Sequence, residues 1–308
     1  MKALRHVNTE NIIALDIETV RISPDFKTLN NLYQQAWEYK NKNDGEIPSK
    51  EKSEDLWQKQ AALYPEFSKI CAVSVAYNYK GELHCRNFAS YSEVALLRDL
   101  AAFLNKVNEK GNYTLCGHAM LYFDIPFLCK RFLINSLEIP GILDESDSKP
   151  WEKKILDTNV LWKSFGTGSG SSLFALCVAL DVEISKVDLV GDEVGKAYYE
   201  GKLEKIASYC GLDAIATYNV LRRLKLETVF AQADVIYDTK GELIEPVPLI
   251  EAIKNTGNIT KGQEDELQAY IDKLGEGDKE IIRLILRAAV VDDNGKIKPA
   301  LEKKIREL

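Results

Sequence analysis

Histidine and paired cysteine are scarce in this sequence. The 308 residues include three histidines, His6, His84 and His118, none in H-x-x-x-H spacing, which removes the usual ligand set of zinc hydrolases. The six cysteines (71, 85, 116, 129, 177 and 210) form no C-x-x-C pair and sit mostly in apolar segments. Buried free thiols are therefore expected, not a zinc site or a disulfide framework. No apolar run reaches the roughly 18 residues that a bilayer-spanning helix needs. The first residues, MKALRHVNTEN, lack the apolar core and small-residue cleavage site of a secretory signal, so the expectation is a cytoplasmic protein with no membrane partner. Basic charge is also short. A net charge of −7 gives no general footprint for nonspecific duplex binding, but it leaves room for a carboxylate-rich site beside a local basic groove.

What remains has the composition of a folded domain, 45% hydrophobic and 28% charged. Residues 11–19 read as a strand. Residues 24–66 are polar, with helical ends and a loop at their centre. Two strands, 69–78 and 82–90, form a hairpin about Lys80-Gly81. Leucines at helical spacing follow Ser92 as a cap over 92–109. A strand at 113–119 leads into the helix FDIPFLCKRFLINSL, with Pro126 tolerated in its first turn. After a flexible GTGSGSS (166–172) come a short apolar helix and a long one over 202–225. This order predicts an α/β fold, a mixed sheet flanked by helices, occupying 1–232. Residues 233–308 read as a small helical C-terminal extension, with Thr260 and Gln263 as a capping box.

The chemistry-bearing residues are acids. In LDIETV, Asp16 and Glu18 would share one face of a strand, where two carboxylates repel each other. Asp124 stands at a strand-to-helix junction in GHAMLYFDIPFL. Asp213 lies one helical turn past Tyr209 in YCGLDA, on the same helix face. Each has an ordinary reading alone: a solvated strand edge, an N-cap, an exposed helix residue, a core aromatic. Together, four carboxylates without histidine or cysteine suit hard divalent cations, Mg²⁺ or Mn²⁺. Two such ions about 4 Å apart support hydrolysis at phosphorus. Composition and spacing leave open whether the four converge.

The set resembles the DEDD superfamily of 3′–5′ exonucleases, in its tyrosine-type (DEDDy) branch, which has a ribonuclease H-like fold. LDIET is similar to the first motif, D-x-E. GHAMLYFDIPFL is similar to the second, and YCGLD to the third, Y-x-x-x-D. The segments LYPEFSKICAVSVAY, ILDTNVLWKSFG and SKVDLVGDEVGKAYYEG resemble more narrowly the predicted exonucleases related to the proofreading domain of family-B DNA polymerases. The resemblance covers about 12–230 and leaves out 233–308.

It implies an enzyme that removes nucleoside 5′-monophosphates from the 3′ end of single-stranded nucleic acid, DNA rather than RNA, in replication or repair. It implies two divalent cations as cofactors. Asp16 would bridge both ions, Glu18 and Asp213 would bind the one that activates water, and Asp124 would help hold the second. The Tyr209 hydroxyl would orient the attacking water. Thr19 and Phe123 are expected near the terminal nucleotide, by backbone proximity and stacking. Ala119 departs from the asparagine of the G-H-N pattern, which bears on substrate handling more than on the metals. The competing readings are an RNA-processing exoribonuclease, and a weakly catalytic binding module on the same fold. The extension offers a docking segment for a polymerase or another replication protein. Asp157 reads as a strand end or helix cap, Asp188 and Asp192 as part of a turn, and the basic KRFL and RRLK as solvated helix faces.

Overall fold

The computed structural model describes residues 1–111, 113–147, 155–166, 170–184 and 193–238. Asp188, Asp192 and nearly all of the expected extension, with its Thr260–Gln263 cap, lie outside the described residues. Six strands form one sheet: β1 (Ile12–Arg21), β2 (Ser68–Tyr79), β3 (Glu82–Ala89), β4 (Thr114–Gly117), β5 (Leu156–Asp157) and β6 (Ile236–Tyr237), in the order β5-β4-β1-β2-β3-β6. β2 is antiparallel to β1 and to β3, while β4 runs parallel to β1 and β5 parallel to β4. This is the expected α/β fold, a mixed sheet with helices on both faces, among them α6 (Leu173–Leu180) and α7 (Val194–Tyr199). Lys80 and Gly81 both take positive φ, 55° and 90°, the geometry of a tight hairpin turn. No helix among the described residues is long and apolar enough to cross a membrane.

β1 alternates strictly, and the two faces of the sheet differ in consequence. Ile13, Leu15 and Ile17 join one core with Leu96, Leu97 and Leu100 of α3 (Glu93–Lys110) and Phe127 and Phe132 of α4 (Asp124–Ile134). Ile12 and Ala14 join the other core, with Ala214, Ile215 and Tyr218 of α8 (Leu203–Leu224). Asp16 and Glu18 continue this second register, so the pleat aims them at α8.

The interruption at 22–67 folds as expected, with helices at its ends, α1 (Asn31–Lys40) and α2 (Lys50–Gln60). Trp37 and Trp57 are fully buried there, edge to face at 5.3 Å, and each indole N–H donates to a backbone carbonyl. The segment is tied to the end of β1 by the Thr19 hydroxyl, which donates to the Ala62 carbonyl at 2.8 Å, and by Arg21, which donates to the Gln58 carbonyl at 2.8 Å.

Two features depart from the sequence expectation. The sheet does not end by residue 232: β6 pairs with β3, Val235 is buried, and the Asp238 N–H donates to the Cys85 carbonyl at 2.8 Å. Arg131, from the KRFL read as a solvated face, is buried. Its Nε donates to Glu93 at 2.8 Å, its Nη2 makes a second bond to the same carboxylate, and its Nη1 donates to the Pro65 carbonyl at 2.6 Å. Glu93 also accepts the Ile70 N–H at 2.7 Å and the Asn135 amide at 2.9 Å. One ion pair thus joins α3, α4 and β2, and fixes the helix that starts at Asp124. Arg131→Met strands a buried carboxylate and should lower stability by about 3–5 kcal/mol, read as a fall in the urea midpoint at unchanged m-value.

Candidate active site

The site is assembled from three elements. β1 supplies Asp16 and Glu18 opposite Ser74 and Ala72 of β2. Immediately after Glu18 the register slips by one, leaving Cys71 as the extra residue of a bulge on β2. The Cys71 thiol donates to the Glu18 carbonyl at 3.4 Å. From the opposite side, α8 brings Tyr209 and Asp213 over the strand. Gly211 allows this approach: a Cβ there would lie 2.9 Å from Asn87 Oδ1 and 3.3 Å from Cys85 Sγ. The Cys210 thiol, on the same turn of α8, donates to the Asp16 carbonyl at 3.3 Å.

Carboxylate oxygens of Asp16, Glu18 and Asp213 lie within 4.8 Å of one another. Asp124 is outside that triplet but close enough that its charge acts on both Asp16 and Glu18. It is the first residue of α4, not its N-cap, a position held by Phe123. Its carboxylate accepts the backbone N–H of Ile17 and its own. Tyr209 donates its hydroxyl to Asp213 one turn on.

The electrostatics follow from burial and like charge. Asp16 is pushed well above the ordinary carboxylate range by burial, then by Asp124, Glu18 and Asp213, against a small opposing effect of the Cys210 thiol. Glu18 is raised by burial and then by Asp213 and Asp124. Burial lifts Asp124 to about 7 in spite of its two backbone N–H bonds. Asp213 reaches about 6, burial outweighing the Tyr209 bond. The Tyr209 hydroxyl is itself pushed up, by burial and then by Asp213, Glu18 and Asp16. It therefore stays protonated at neutral pH, as a donor. An all-oxygen donor set that resists ionisation unless a cation joins it fits a hard divalent ion.

The turn that delivers Asp124 has an anchor whose reach the sequence does not reveal. Asp157, 3% exposed, accepts the Ala119 N–H at 3.0 Å and the Leu121 N–H at 3.1 Å. It also caps α5 (Thr158–Lys163) through the N–H groups of Asn159 and Val160. The sequence signal, an acid before Thr-Asn, announces only the cap. Ala119 lies within this turn at φ 63°, a conformation that asparagine tolerates better than alanine. His118, beside it, has Nδ1 2.9 Å from Thr158 Oγ1 and Nε2 2.8 Å from the Ser171 carbonyl.

Of the two residues expected near substrate, Thr19 spends its hydroxyl on Ala62, leaving its backbone beside Glu18. Phe123 is half-buried, with its ring 5.2 Å from that of Phe127. All six cysteines are free, five of them buried and Cys129 partly so, as their apolar surroundings suggest.

The raised acids set a sign for the pH dependence. With folded values near 6 and 7 against an ordinary 3.8, the folded state holds protons that the unfolded chain has released. Their contribution to stability therefore falls as pH rises from about 4 to about 7. In chelator, the melting temperature should drop across this window, and Asp124→Asn should flatten the drop. Millimolar Mn²⁺ should raise melting by several degrees at pH 8 and by much less at pH 5. Thermal scans over pH, with and without Mn²⁺, check all three.

Among proteins with curated functions, none matches the chain. The solved structures similar to it include the family B DNA polymerase from the hyperthermophilic archaeon Pyrobaculum calidifontis, at 11% identity and a TM-score of 0.39. The match covers 70% of this chain and 24% of the polymerase, so the chain spans about a quarter of that protein. The family model described as "Predicted 3'-5' exonuclease related to the exonuclease domain of PolB" matches residues 62–241. That stretch contains Asp124, Tyr209 and Asp213, while Asp16 and Glu18 lie before it. Since it takes in more than half of the 308 residues, the chain belongs to the family of predicted 3′–5′ exonucleases related to the exonuclease domain of PolB.

Proposed function

We propose that this chain is a divalent-cation-dependent 3′–5′ exonuclease acting on single-stranded ends, DNA in preference to RNA, and releasing nucleoside 5′-monophosphates. The observation that carries the reading is the convergence of Asp16, Glu18 and Asp213, with carboxylate oxygens within 4.8 Å, in a member of this exonuclease family.

A pair of Mg²⁺ or Mn²⁺ ions, when bound, would supply activation of water and stabilisation of the leaving 3′-oxygen. Asp16, on which the charges of the other three acids act, would help hold both ions. Glu18 and Asp213 would hold one ion, and Asp124, at the start of α4, would help hold the second. Tyr209, kept protonated by burial and by the neighbouring acids, would turn its hydroxyl toward the attacking water and so orient it, not deprotonate it. Asp213 holds that hydroxyl in place through the hydrogen bond along the helix. Thr19 and Phe123 are the residues assigned to the terminal nucleotide, through backbone and ring.

The test is release of mononucleotides from 3′- and 5′-labelled single strands with Mn²⁺. Asp16→Asn should reduce turnover by at least about a thousandfold, and Tyr209→Phe by about ten- to a hundredfold in kcat with little change in KM. Activity that survives Asp16→Asn would overturn the assignment, and faster RNA than DNA hydrolysis would move the substrate to RNA.

The sheet continues through Tyr237, so the catalytic unit is taken to run through Asp238, with the rest as a helical extension that docks a polymerase or another replication protein. Removing the residues after 238 should abolish partner capture and leave hydrolysis of short oligonucleotides unchanged. Loss of hydrolysis would instead make the extension part of the fold.

A further inference from the structure

A cavity lies near the start of β1, on the face of the sheet opposite Asp16 and Glu18. It measures about 370 Å³, between the β2–β3 hairpin and α3, at the lower end of the size range for small-ligand pockets. Its strand residue on β1 is Ile13, five residues before Glu18, or about 17 Å along the strand. Ile13 points into the α3 core, away from the α8 face that carries Asp16 and Glu18. The two sites therefore share neither residues nor a side of the sheet.

The lining combines flat aromatic surface with positive charge. Tyr77 and Phe103 line it, ring centroids 5.8 Å apart, with His84 stacked on Tyr77 at 5.7 Å, and Tyr79, half-exposed, lines it as well. Lys106 and Lys110, one turn apart on α3, share a helix face at the cavity. Arg86 lines the same cavity, its guanidinium 4.7 Å from the Phe88 ring centroid and 5.4 Å from that of Phe103. The one acid in the lining, Asp238, is already engaged: it accepts the Tyr77 hydroxyl and lies 3.0 Å from His84 Nδ1. Arg86, Lys106 and Lys110 thus leave an excess of positive charge here, in a chain whose net charge is −7. Charge of one sign concentrated in a concave site raises the local concentration of the opposite sign.

We infer that this cavity binds a small ligand with a flat aromatic end and a phosphate end, a nucleoside 5′-monophosphate. The ring lies against Tyr79, beside Tyr77 and Phe103, and the phosphate meets Lys106, Lys110 and Arg86. The inference does not rest on the exonuclease reading, since binding here needs neither a cation nor hydrolysis.

Calorimetric titration of AMP into the full chain in chelator tests it, with adenosine and inorganic phosphate as separate probes. AMP is expected to bind more tightly than either fragment. Lys106→Glu with Lys110→Glu, both exposed on α3, should weaken AMP at least tenfold without changing hydrolysis of short oligonucleotides. Tyr79→Ala should weaken AMP but not phosphate. Asp213→Asn, which disables the carboxylate site, should leave AMP binding unchanged. Failure of AMP to bind at millimolar concentration, binding that ignores the lysine variants, or phosphate binding as tight as AMP would each overturn the assignment. A chain that binds AMP in this way and hydrolyses nothing would retain this site and lose only the exonuclease reading.

Discussion

Mutual repulsion among Asp16, Glu18, Asp124 and Asp213, in a place where water screens it poorly, is the constraint that the rest of the molecule serves. Left free, such groups would separate or take up protons. The first course is closed by where they are attached. Asp16 and Glu18 sit on a strand that β2 pairs along nearly its whole length and that β4 anchors just before them, at Ile12–Ala14. Asp213 sits on a helix whose inner face is almost continuously buried. Asp124 starts a helix pinned by the buried Glu93–Arg131 pair. The second course, proton uptake, shows in the raised carboxyl groups. Local donors oppose it without prevailing: the Asp124 and Ile17 N–H groups toward Asp124, the Tyr209 hydroxyl toward Asp213 and the Cys210 thiol toward Asp16. On the proposed reading, a divalent cation would remove the repulsion where the scaffold cannot.

Small local irregularities set the aim of the acids. The extra residue on β2, Cys71, ends the regular register one step past Glu18. Gly211 lets α8 settle onto β3, and so places Tyr209 and Asp213 above β1. Asp157 binds N–H groups on both the turn before α4 and the first turn of α5. It makes one body of two segments nearly 40 residues apart in sequence. None of these residues need touch substrate, yet each governs where one of the acids points.

Features whose physics is local were legible in the sequence. The hairpin at Lys80-Gly81, the shared face of Asp16 and Glu18, the turn between Tyr209 and Asp213, and the two helices of the 22–67 interruption all follow from period and cap. What stayed hidden is long-range. β5 and β6 have two residues each, too few for any periodicity to register. Arg131 and Glu93 are 38 residues apart, and a lone arginine in KRFL carries no mark of the carboxylate that buries it. Asp157 shows its cap locally, but its bonds to Ala119 and Leu121 exist only because β5 lies beside β4. Asp238 falls in the stretch expected as extension because its partners, Tyr77 and His84, lie more than 150 residues earlier.

Ala119 shows how such hidden geometry changes the meaning of a sequence difference. Seen as a letter, alanine in place of the asparagine of G-H-N removes a side chain that could meet substrate. Seen in the fold, the position has φ 63°, a region that costs a residue with an ordinary Cβ about 1–2 kcal/mol and that asparagine enters more readily. Its N–H is held by Asp157 at 3.0 Å, so the turn keeps its shape with either residue, at a strain that the surrounding bonds sustain. Asparagine there has a backbone reason to occur that is independent of any nucleotide. The turn's delivery of Asp124 depends on Asp157 and on the close packing of Met120 over Gly117, where a Cβ would lie 2.5 Å from that of Met120. The acids can therefore stay in place while the side chain at 119 varies, and the departure at that position does not by itself weaken the metal-site reading.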